Sequence, residues 1–344
     1  MNRTSSKPQL RIGLAYDFRT RPGSGVSVTE SYAAGLEQIR LADQLGFDHV
    51  WFSEHRFLND GHLPGFVPAA GVVAGATQNI RIGTDIALLP FYDPLRLAED
   101  VAVLDQFSGG RIELGIGMGY APHEFKAIGM PIKNRVSHTE EGIEILRQAW
   151  SDAPISFKGK RYSYTNVDVH PKPIQAGGPP LWIAAMSHAG AMRAARFDTH
   201  ILPQGNRQDV LDPWKSELLA SGRDPNMYRV GILKSFLVTY DKERDWALVK
   251  EAERYRMSIY AKFFAATEDS YTALNKDSDP IPQNWVVGDP EEVTIALQHF
   301  INEHSITDLT GWGLPPGVPP ELAAASIELF ASHVAPRLKT QGTL

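Results

Sequence analysis

Apolar runs of strand length alternate with helix-length amphipathic segments along almost the whole chain. The runs predict eight strands, at residues 10–15, 49–53, 80–89, 111–118, 181–185, 200–202, 230–240 and 308–312. The intervening segments carry apolar residues at helical spacing. They predict helices at residues 28–45, 67–76, 95–107, 135–150, 188–196, 210–221, 242–267, 290–303 and 320–339.

Eight strand–helix units without a linker favour one (β/α)8 barrel, a TIM barrel of the α/β class, over a doubly wound sheet. Two segments are additional to these eight units. Residues 155–169 alternate around a glycine turn, which predicts a hairpin within an insertion at about 150–180. A polar stretch up to Asn284 indicates a second insertion at about 245–285. Together these insertions account for the length of 344 residues, which exceeds the roughly 250 typical of such a barrel. We expect one domain over residues 1–344.

Composition removes several classes of function. The net charge of −6 argues against a general nucleic-acid binder. The absence of cysteine excludes disulfides, thiolate nucleophiles and cysteine-ligated metals. No histidine spacing indicates a metal site. The polar N-terminus and the lack of an apolar run of about 18 residues predict a cytoplasmic enzyme with no membrane contact.

Candidate chemistry lies where the predicted strands end, because barrel enzymes build their active sites there. His55 follows the second strand, and an imidazole at that point can shuttle protons near neutral pH. The structural alternative is a loop-capping histidine. The neighbouring Glu54 either accepts from backbone donors or orients the imidazole.

The third and fourth strands end in unusual residues. Asp85 interrupts an apolar run, which indicates either a bulge or lumen residue, or strained backbone beside a cofactor. Gly115, Gly117 and Gly119 follow the next strand as GIGMGY and would allow close approach to a flat ring or phosphate. Tyr120 stands where a dinucleotide fingerprint needs its last glycine, so a nicotinamide-type fold is not expected.

Two helix starts are candidate phosphate sites. Arg135 and His138 share one face of a helix, and an arginine fork suits phosphate, although a solvated surface pair is the alternative. Ser187 begins a helix after the fifth strand, where free N–H groups and a hydroxyl can hold phosphate. An ordinary N-cap serine is compatible with that reading.

Several longer stretches resemble the bacterial luciferase-like flavin monooxygenase superfamily. They are FDHVWFSEHRF at 47–57, the whole run of residues 81–120, EFKAIGM at 124–130, HPKPIQAGGPPLWIAAMS at 170–187, VVGDPEEV at 286–293 and SIELFASHVAPRL at 326–338. The resemblance implies a TIM barrel, usually dimeric, with reduced FMN or a deazaflavin across the strand ends. His55 matches the family's active-site histidine, and Asp85–Ile86 matches a non-prolyl cis peptide beneath the flavin ring.

The same resemblance implies that Arg135 and the Ser187 turn hold the flavin phosphate. The chain departs from the luciferases at two positions. Gly117 stands in place of their reactive cysteine, and Met118 replaces a phosphate-contacting arginine. Light emission is therefore not implied.

The resulting hypothesis is a two-component monooxygenase. A separate NAD(P)H:flavin reductase would supply reduced FMN, and the barrel, as a homodimer, would oxidise a small organic substrate with molecular oxygen. The alternatives are a deazaflavin-dependent dehydrogenase or reductase, and a non-catalytic flavin-binding protein. The catalytic candidates are His55 and Glu54. The cofactor candidates are Asp85, Ile86, Gly117, Met118, Tyr120, Arg135, His138, Met186 and Ser187. Position alone suggests Asp17, Phe57 and Trp312 for the substrate pocket, with the 245–285 insertion as its lid.

Overall fold

A computed structural model describes residues 8–205, 207–265 and 281–341. The strands are Arg11–Tyr16 (β1), His49–Phe52 (β2), Arg81–Thr84 (β3), Ala87–Leu88 (β4), Leu114–Gly117 (β5), Ile155–Lys158 (β6), Ser163–Val167 (β7), Leu181–Ala185 (β8), His200–Pro203 (β9), Gly231–Leu233 (β10), Ser235–Val238 (β11), Trp285–Gly288 (β12) and Asp308–Trp312 (β13). The helices are Val28–Gln44 (α1), Phe66–Ala76 (α2), Pro94–Ser108 (α3), Pro122–Ile128 (α4), Arg135–Ala149 (α5), His188–Arg196 (α6), Gln208–Ala220 (α7), Lys242–Phe264 (α8), Pro290–His304 (α9), Pro320–Leu329 (α10) and Ala335–Gln341 (α11).

Parallel pairing closes nine of these strands into a ring, which confirms the predicted barrel. One sheet runs β10-β13-β1-β2-β3 and another β4-β5-β8-β9. Bridges between Ile82 and Ile112 and between Ile201 and Val230 join the two sheets at both edges. The carboxyl ends of these nine strands therefore lie on one rim, called the carboxyl rim below. Along it, β13, β1, β2, β3 with β4, β5 and β8 are successive neighbours.

The barrel interior is filled by large side chains. Trp51, Trp182 and Leu202 form a buried cluster separate from the main core, and they come from three different strands. The two indoles meet edge to face at 5.3 Å. This packing makes the barrel a solid support for the residues at its rim.

Ion pairs close the opposite, amino-terminal end of the barrel. Arg11 at the start of β1 lies 2.5 Å from Asp308 and 2.6 Å from Glu113. Arg81 pairs with the same glutamate, which also accepts from the Trp182 indole at 2.9 Å. Burial opposes ionisation of Glu113, but the two guanidinium groups outweigh it and hold its pKa well below the usual range.

Two predicted strands were wrong in extent. The third, predicted as one run at 80–89, is divided into β3 and β4, and the break falls at Asp85–Ile86, whose peptide bond is cis as the resemblance implied. The seventh, predicted at 230–240, is divided into β10, which joins the ring, and β11, which leaves it. β11 pairs instead with β12, a strand absent from the prediction because it is short and borders the polar insertion.

The insertions follow the prediction where the structure describes them. β6 and β7 form the antiparallel hairpin expected at 155–169. The second insertion begins within α8, which ends at Phe264. Residues 266–280 of this insertion lie outside the described residues. Helix α4 was not predicted. The last predicted helix is continuous through α10, a π-helical turn at Phe330–Val334 and α11. The single-domain organisation stays a prediction.

Candidate active site

His55 is buried at the carboxyl rim, just beyond β2. Its backbone N–H donates to the Leu63 carbonyl at 3.1 Å, which fixes the loop that carries it. Its Nδ1 lies 3.3 Å from Oε1 of Glu124, and its Nε2 lies 3.4 Å from the Tyr120 hydroxyl. A carboxylate only accepts, so Nδ1 carries the hydrogen and Nε2 accepts from the tyrosine.

Glu124, the partner of this imidazole, was missed by the sequence analysis. It lies on α4, fully buried, and its Oε1 also accepts the Arg56 backbone N–H at 2.6 Å. Its Oε2 has no hydrogen-bond partner within the described part of the chain. The only signal for it was its place in the EFKAIGM stretch, since α4 itself had not been predicted.

The carboxylate of Glu54 binds groups other than the His55 imidazole, which it would have to contact in order to orient it. Its carboxylate accepts from four donors: the Leu88 N–H at 2.8 Å, Arg56 Nη1 at 3.2 Å, the Phe66 N–H at 3.2 Å and the Tyr92 hydroxyl at 2.6 Å. Burial raises its pKa, against the opposing effect of Arg56. Glu54 thus ties the β2 loop to β4 and α2. This is the backbone-satisfying alternative considered from the sequence.

The cis peptide Asp85–Ile86 lies on the rim beside the His55 loop, and the Asp85 N–H donates to the Phe52 carbonyl at 2.9 Å. Asp85 is partly buried, and the loss of solvent raises its pKa to about 7. Ile86 packs on the tryptophan cluster of the barrel interior. A Cβ added to Gly117 would lie 1.7 Å from Ile86 Cδ1. Gly117 therefore makes room for the isoleucine side chain, which differs from the direct ring or phosphate approach expected from sequence.

Aromatic side chains from the end of α8 cover His55 and Tyr120. Phe263 and Tyr260 have ring centroids 5.0 and 5.8 Å from the His55 ring. Phe264 stacks on Tyr120 at 4.7 Å with the planes 8° apart. We call these three α8 residues the aromatic cover. It removes the imidazole from solvent.

Two helix N-termini mark the candidate phosphate site. The Ser187 hydroxyl caps α6 by accepting the Gly190 N–H at 3.3 Å, and Met186 and Ser187 are both exposed. The Arg207 guanidinium donates to the Met186 carbonyl at 2.9 Å. The sequence analysis had not predicted Arg207 at this site. Arg135 begins α5, and ion pairs of Glu140 with Arg193 and Arg196, at 3.0 and 2.7 Å, link α5 to α6.

The other cofactor candidates have mixed surroundings. Met118 is half-buried directly after β5. His138 Nδ1 lies 3.0 Å from the hydroxyl of Tyr162, a residue of the turn between β6 and β7. This imidazole therefore contacts the hairpin. Partial burial lowers the pKa of His138, as does the nearby Arg161.

The three substrate-pocket candidates separate into two groups. Asp17 and Trp312 follow or end neighbouring strands, with Ala15 opposite Trp312 in the β1–β13 ladder. Asp17 is fully buried and 2.8 Å from Arg19, and its burial raises its pKa despite that cation. Trp312 lies 4.8 Å beneath the Arg256 guanidinium of α8. Phe57, in contrast, is 61% exposed on the surface loop.

The residues present fit a flavin-type cofactor better than a metal. No cluster of metal-ligating side chains occurs in the described residues. The ends of β2, β3 and β8 instead carry a protected imidazole, an apolar Ile86 and an exposed helix N-terminus that can bind an anion. Among the described helices, none is both long and apolar enough to cross a membrane.

The chain is similar in sequence to oxidoreductases of two kinds and to an uncharacterised protein. Over 161 residues the chain is 33% identical to an uncharacterised protein, y4vJ, of Sinorhizobium fredii (47% of this chain), and it spans about half of that protein's length (46%). It is 25% identical to the alkanal monooxygenase alpha chain of Photorhabdus laumondii subsp. laumondii, over 91% of this chain and 94% of that one. It is 27% identical to the F420-dependent glucose-6-phosphate dehydrogenase of Amycolatopsis mediterranei, over 89% and 95%.

Solved structures share the fold. The monooxygenase RslO1 from Streptomyces bottropensis superposes with a TM-score of 0.84 at 24% identity, over 95% of this chain and 99% of that one. The oxygenating constituent of 3,6-diketocamphane monooxygenase from Pseudomonas putida, a type II Baeyer–Villiger enzyme in complex with FMN, gives 0.78 at 20% identity, over 95% and 98%. The family profile described as luciferase-like monooxygenase matches residues 11–306. The chain therefore belongs to the luciferase-like monooxygenase family of oxidoreductases.

Proposed function

We propose that this protein is a flavin-dependent monooxygenase that uses reduced FMN and molecular oxygen to oxidise a small organic substrate. A separate NAD(P)H:flavin reductase would supply the reduced FMN. One observation carries the proposal: His55 is held between Glu124 and Tyr120, on the same rim as Asp85–Ile86 and the exposed start of α6. A proton-handling group and a cradle for a phosphate-bearing ring system thus lie on neighbouring strand ends.

The cofactor would be held by residues from β3 to α6. Asp85 and Ile86 would lie beneath the ring, with Met118 and Tyr120 at its edge. Arg135 and the Ser187 turn beside Met186 would hold the phosphate, since guanidinium and helix N–H groups both favour an anion. When bound, reduced FMN supplies the electrons that activate oxygen.

His55 would hold or move a proton at Nε2. Glu124 keeps the hydrogen on Nδ1, so Nε2 is the atom available for exchange, and Tyr120 donates to it. The aromatic cover excludes water from this atom. A dry site would protect reactive species formed from oxygen and would strengthen each polar contact inside it.

A deazaflavin-dependent dehydrogenase or reductase is the second candidate. Its support is that an F420-dependent relative is aligned as fully as an alkanal monooxygenase, at similar identity. Such an enzyme would transfer hydride without oxygen, and His55 could serve either reaction. A non-catalytic flavin-binding protein is the third candidate. The intact His55–Glu124 contact argues against it, because binding alone does not need an oriented imidazole.

The test is an anaerobic titration of the full chain with reduced FMN and, separately, with reduced F420. Tight binding of FMN, followed by substrate-dependent oxygen uptake when NADH and a flavin reductase are present, is the expected result. Tight binding of F420 alone, with alcohol- or aldehyde-dependent reduction of added oxidised F420, would replace this proposal by the second candidate. FMN binding without turnover over a panel of ketones, aldehydes and sulfonates would favour the third.

We also propose a homodimer built on α2 and α3. These helices pack together, and their outer surfaces expose apolar side chains: Val72 is 56%, Val103 39% and Phe107 79% exposed. Gly71 and Gly75 lie on the same exposed face of α2, where small residues allow close approach of a second helix. Exposed apolar side chains grouped on two packed helices favour an interface there.

A further inference from the structure

Arg19 is a buried cation whose two Nη groups have no acceptor among the described residues. Its side chain is fully buried on the loop after β1. Its Nε is engaged, since it lies 2.8 Å from Asp17 Oδ2 in an ion pair. A buried guanidinium with unsatisfied donors is costly, so an acceptor is expected in the functional state.

Asp17 has the complementary property. Its Oδ1 accepts the Arg19 backbone N–H at 3.2 Å, and its Oδ2, 2.8 Å from Arg19 Nε, can accept one further hydrogen bond. Two unused Nη donors therefore lie beside a carboxylate oxygen with one unused lone pair. A ligand that satisfies both needs one oxygen that accepts and one hydroxyl that donates.

The charges favour a neutral ligand. Asp17 already balances Arg19, and Asp60 adds a further carboxylate, held by the Tyr255 hydroxyl at 2.9 Å. Arg256, the other buried cation nearby, is paired with Glu253 at 2.6 Å. An anionic group would add a second uncompensated negative charge to a buried site, whereas a carbonyl would use the free donors without changing the charge.

Tyr260 connects this pair to the proposed catalytic residue. Its ring lies 5.4 Å from the Arg19 guanidinium and has its centroid 5.8 Å from the His55 ring. A molecule bound to Arg19 would therefore extend along the aromatic cover toward His55. Such surroundings favour a flat, apolar or aromatic body.

From this geometry we propose that Arg19 and Asp17 form a substrate subsite for a neutral aromatic compound that carries a carbonyl and a hydroxyl on adjacent carbons. The carbonyl oxygen accepts from the Arg19 Nη groups, and the hydroxyl donates to Asp17 Oδ2. The inference rests on the proposed function, since it assigns the substrate class of that same site.

The experiment measures binding of four probes to the FMN-loaded protein by calorimetry, without reductase or turnover. The probes are phenacyl alcohol, acetophenone, benzoate and ethylbenzene. Phenacyl alcohol is expected to bind most tightly, acetophenone next, and benzoate and ethylbenzene least. Tightest binding of benzoate would overturn the neutral-ligand assignment, and equal binding of ethylbenzene and phenacyl alcohol would overturn the subsite.

Two variants locate the contacts. Asp17→Asn should weaken phenacyl alcohol and leave acetophenone unchanged. Arg19→Met, made together with Asp17→Asn so that no buried carboxylate is left unpaired, should weaken both ketones by about 10-fold to 100-fold. Arg96→Met, at a 74% exposed arginine, is the matched control. Unchanged ketone binding in the double variant would remove Arg19 from the subsite.

The two proposals fail separately. FMN binding and oxygen uptake with other substrates test the monooxygenase, while probe affinity tests the subsite. Retained FMN affinity with loss of ketone binding in the double variant is expected. Loss of both would contradict a subsite that is distinct from the cofactor contacts. A circular dichroism melt of each variant separates misfolding from a local loss, and Asp17→Asn alone is the milder substitution if the double variant fails to fold.

Discussion

His55 Nδ1 lies 3.3 Å from the Glu124 carboxylate, although 69 residues separate the two in the chain. The same carboxylate oxygen accepts the Arg56 backbone N–H, so the loop that carries His55 is fastened to the acid that orients it. Helix α4 and the β2 loop are thereby locked in one arrangement. The contact gives the imidazole a defined tautomer before any ligand arrives.

Replacing the imidazole should separate chemistry from binding. In His55→Ala we expect substrate oxidation to be lost while affinity for reduced FMN is retained, because the phosphate and ring contacts proposed above do not involve His55. Oxidised product formed from the substrate and an anaerobic flavin titration measure the two properties. His299→Ala, at an exposed histidine of α9, is the control. Turnover equal to that of the native protein would contradict the role of His55.

The two buried glutamates of the site should respond differently to the same substitution. Glu124→Gln should lower kcat by about 10-fold or more with little change in KM, because it weakens control of the His55 tautomer. Glu54→Gln should mainly lower the free energy of unfolding, by about 1–3 kcal/mol, since it disturbs four buried hydrogen bonds. Steady-state kinetics and urea unfolding test the pair. A larger kcat loss for Glu54→Gln would reverse the assignment.

Gly117 and Ile86 should be coupled. Gly117→Ala brings a methyl group against Ile86 Cδ1 and should cost about 1–3 kcal/mol of unfolding free energy by overpacking. Adding Ile86→Ala should cost less in the Gly117→Ala background than alone, because the methyl group fills part of the cavity. Additive effects of the two changes would contradict the coupling.

Asp85 should make stability depend on pH. Its folded-state pKa of about 7 lies above the unfolded value of about 4, so the folded protein keeps a proton that the unfolded chain has lost between them. This contribution to stability is full below about pH 4 and is lost as the pH rises through about 7. Asp85→Asn cannot ionise. The Tm of the variant minus that of the native protein should therefore be larger at about pH 8 than at about pH 5. An equal difference would exclude the raised pKa.

The proposed dimer predicts one surface variant. Phe107→Glu buries a charge in the α2–α3 interface and should convert the dimer to a monomer, measured by size-exclusion chromatography with light scattering. Tyr240→Glu, at a residue 74% exposed elsewhere, should leave the dimer intact. A monomeric native protein, or a dimer unaffected by Phe107→Glu, would disprove this interface.

The periodic pattern predicted the barrel well because each barrel strand is buried and each helix is amphipathic, and both properties can be read from consecutive residues. The errors fall where a strand pairs with a segment distant in the chain. β11 and β12 pair although about 50 residues separate them in the chain, and the break between β3 and β4 lies inside one apolar run.

The site divides in the same way. By itself, the sequence predicted that His55 and Asp85–Ile86 lie at strand ends and that Ser187 lies at a helix start, because such a place is set by a residue's immediate neighbours. Only the tertiary structure decided which groups meet. It paired His55 with Glu124 instead of Glu54, filled the space at Gly117 with Ile86, and buried Arg19 beside Asp17. Those contacts depend on the direction of side chains from separate strands and helices, which closure of the barrel alone determines.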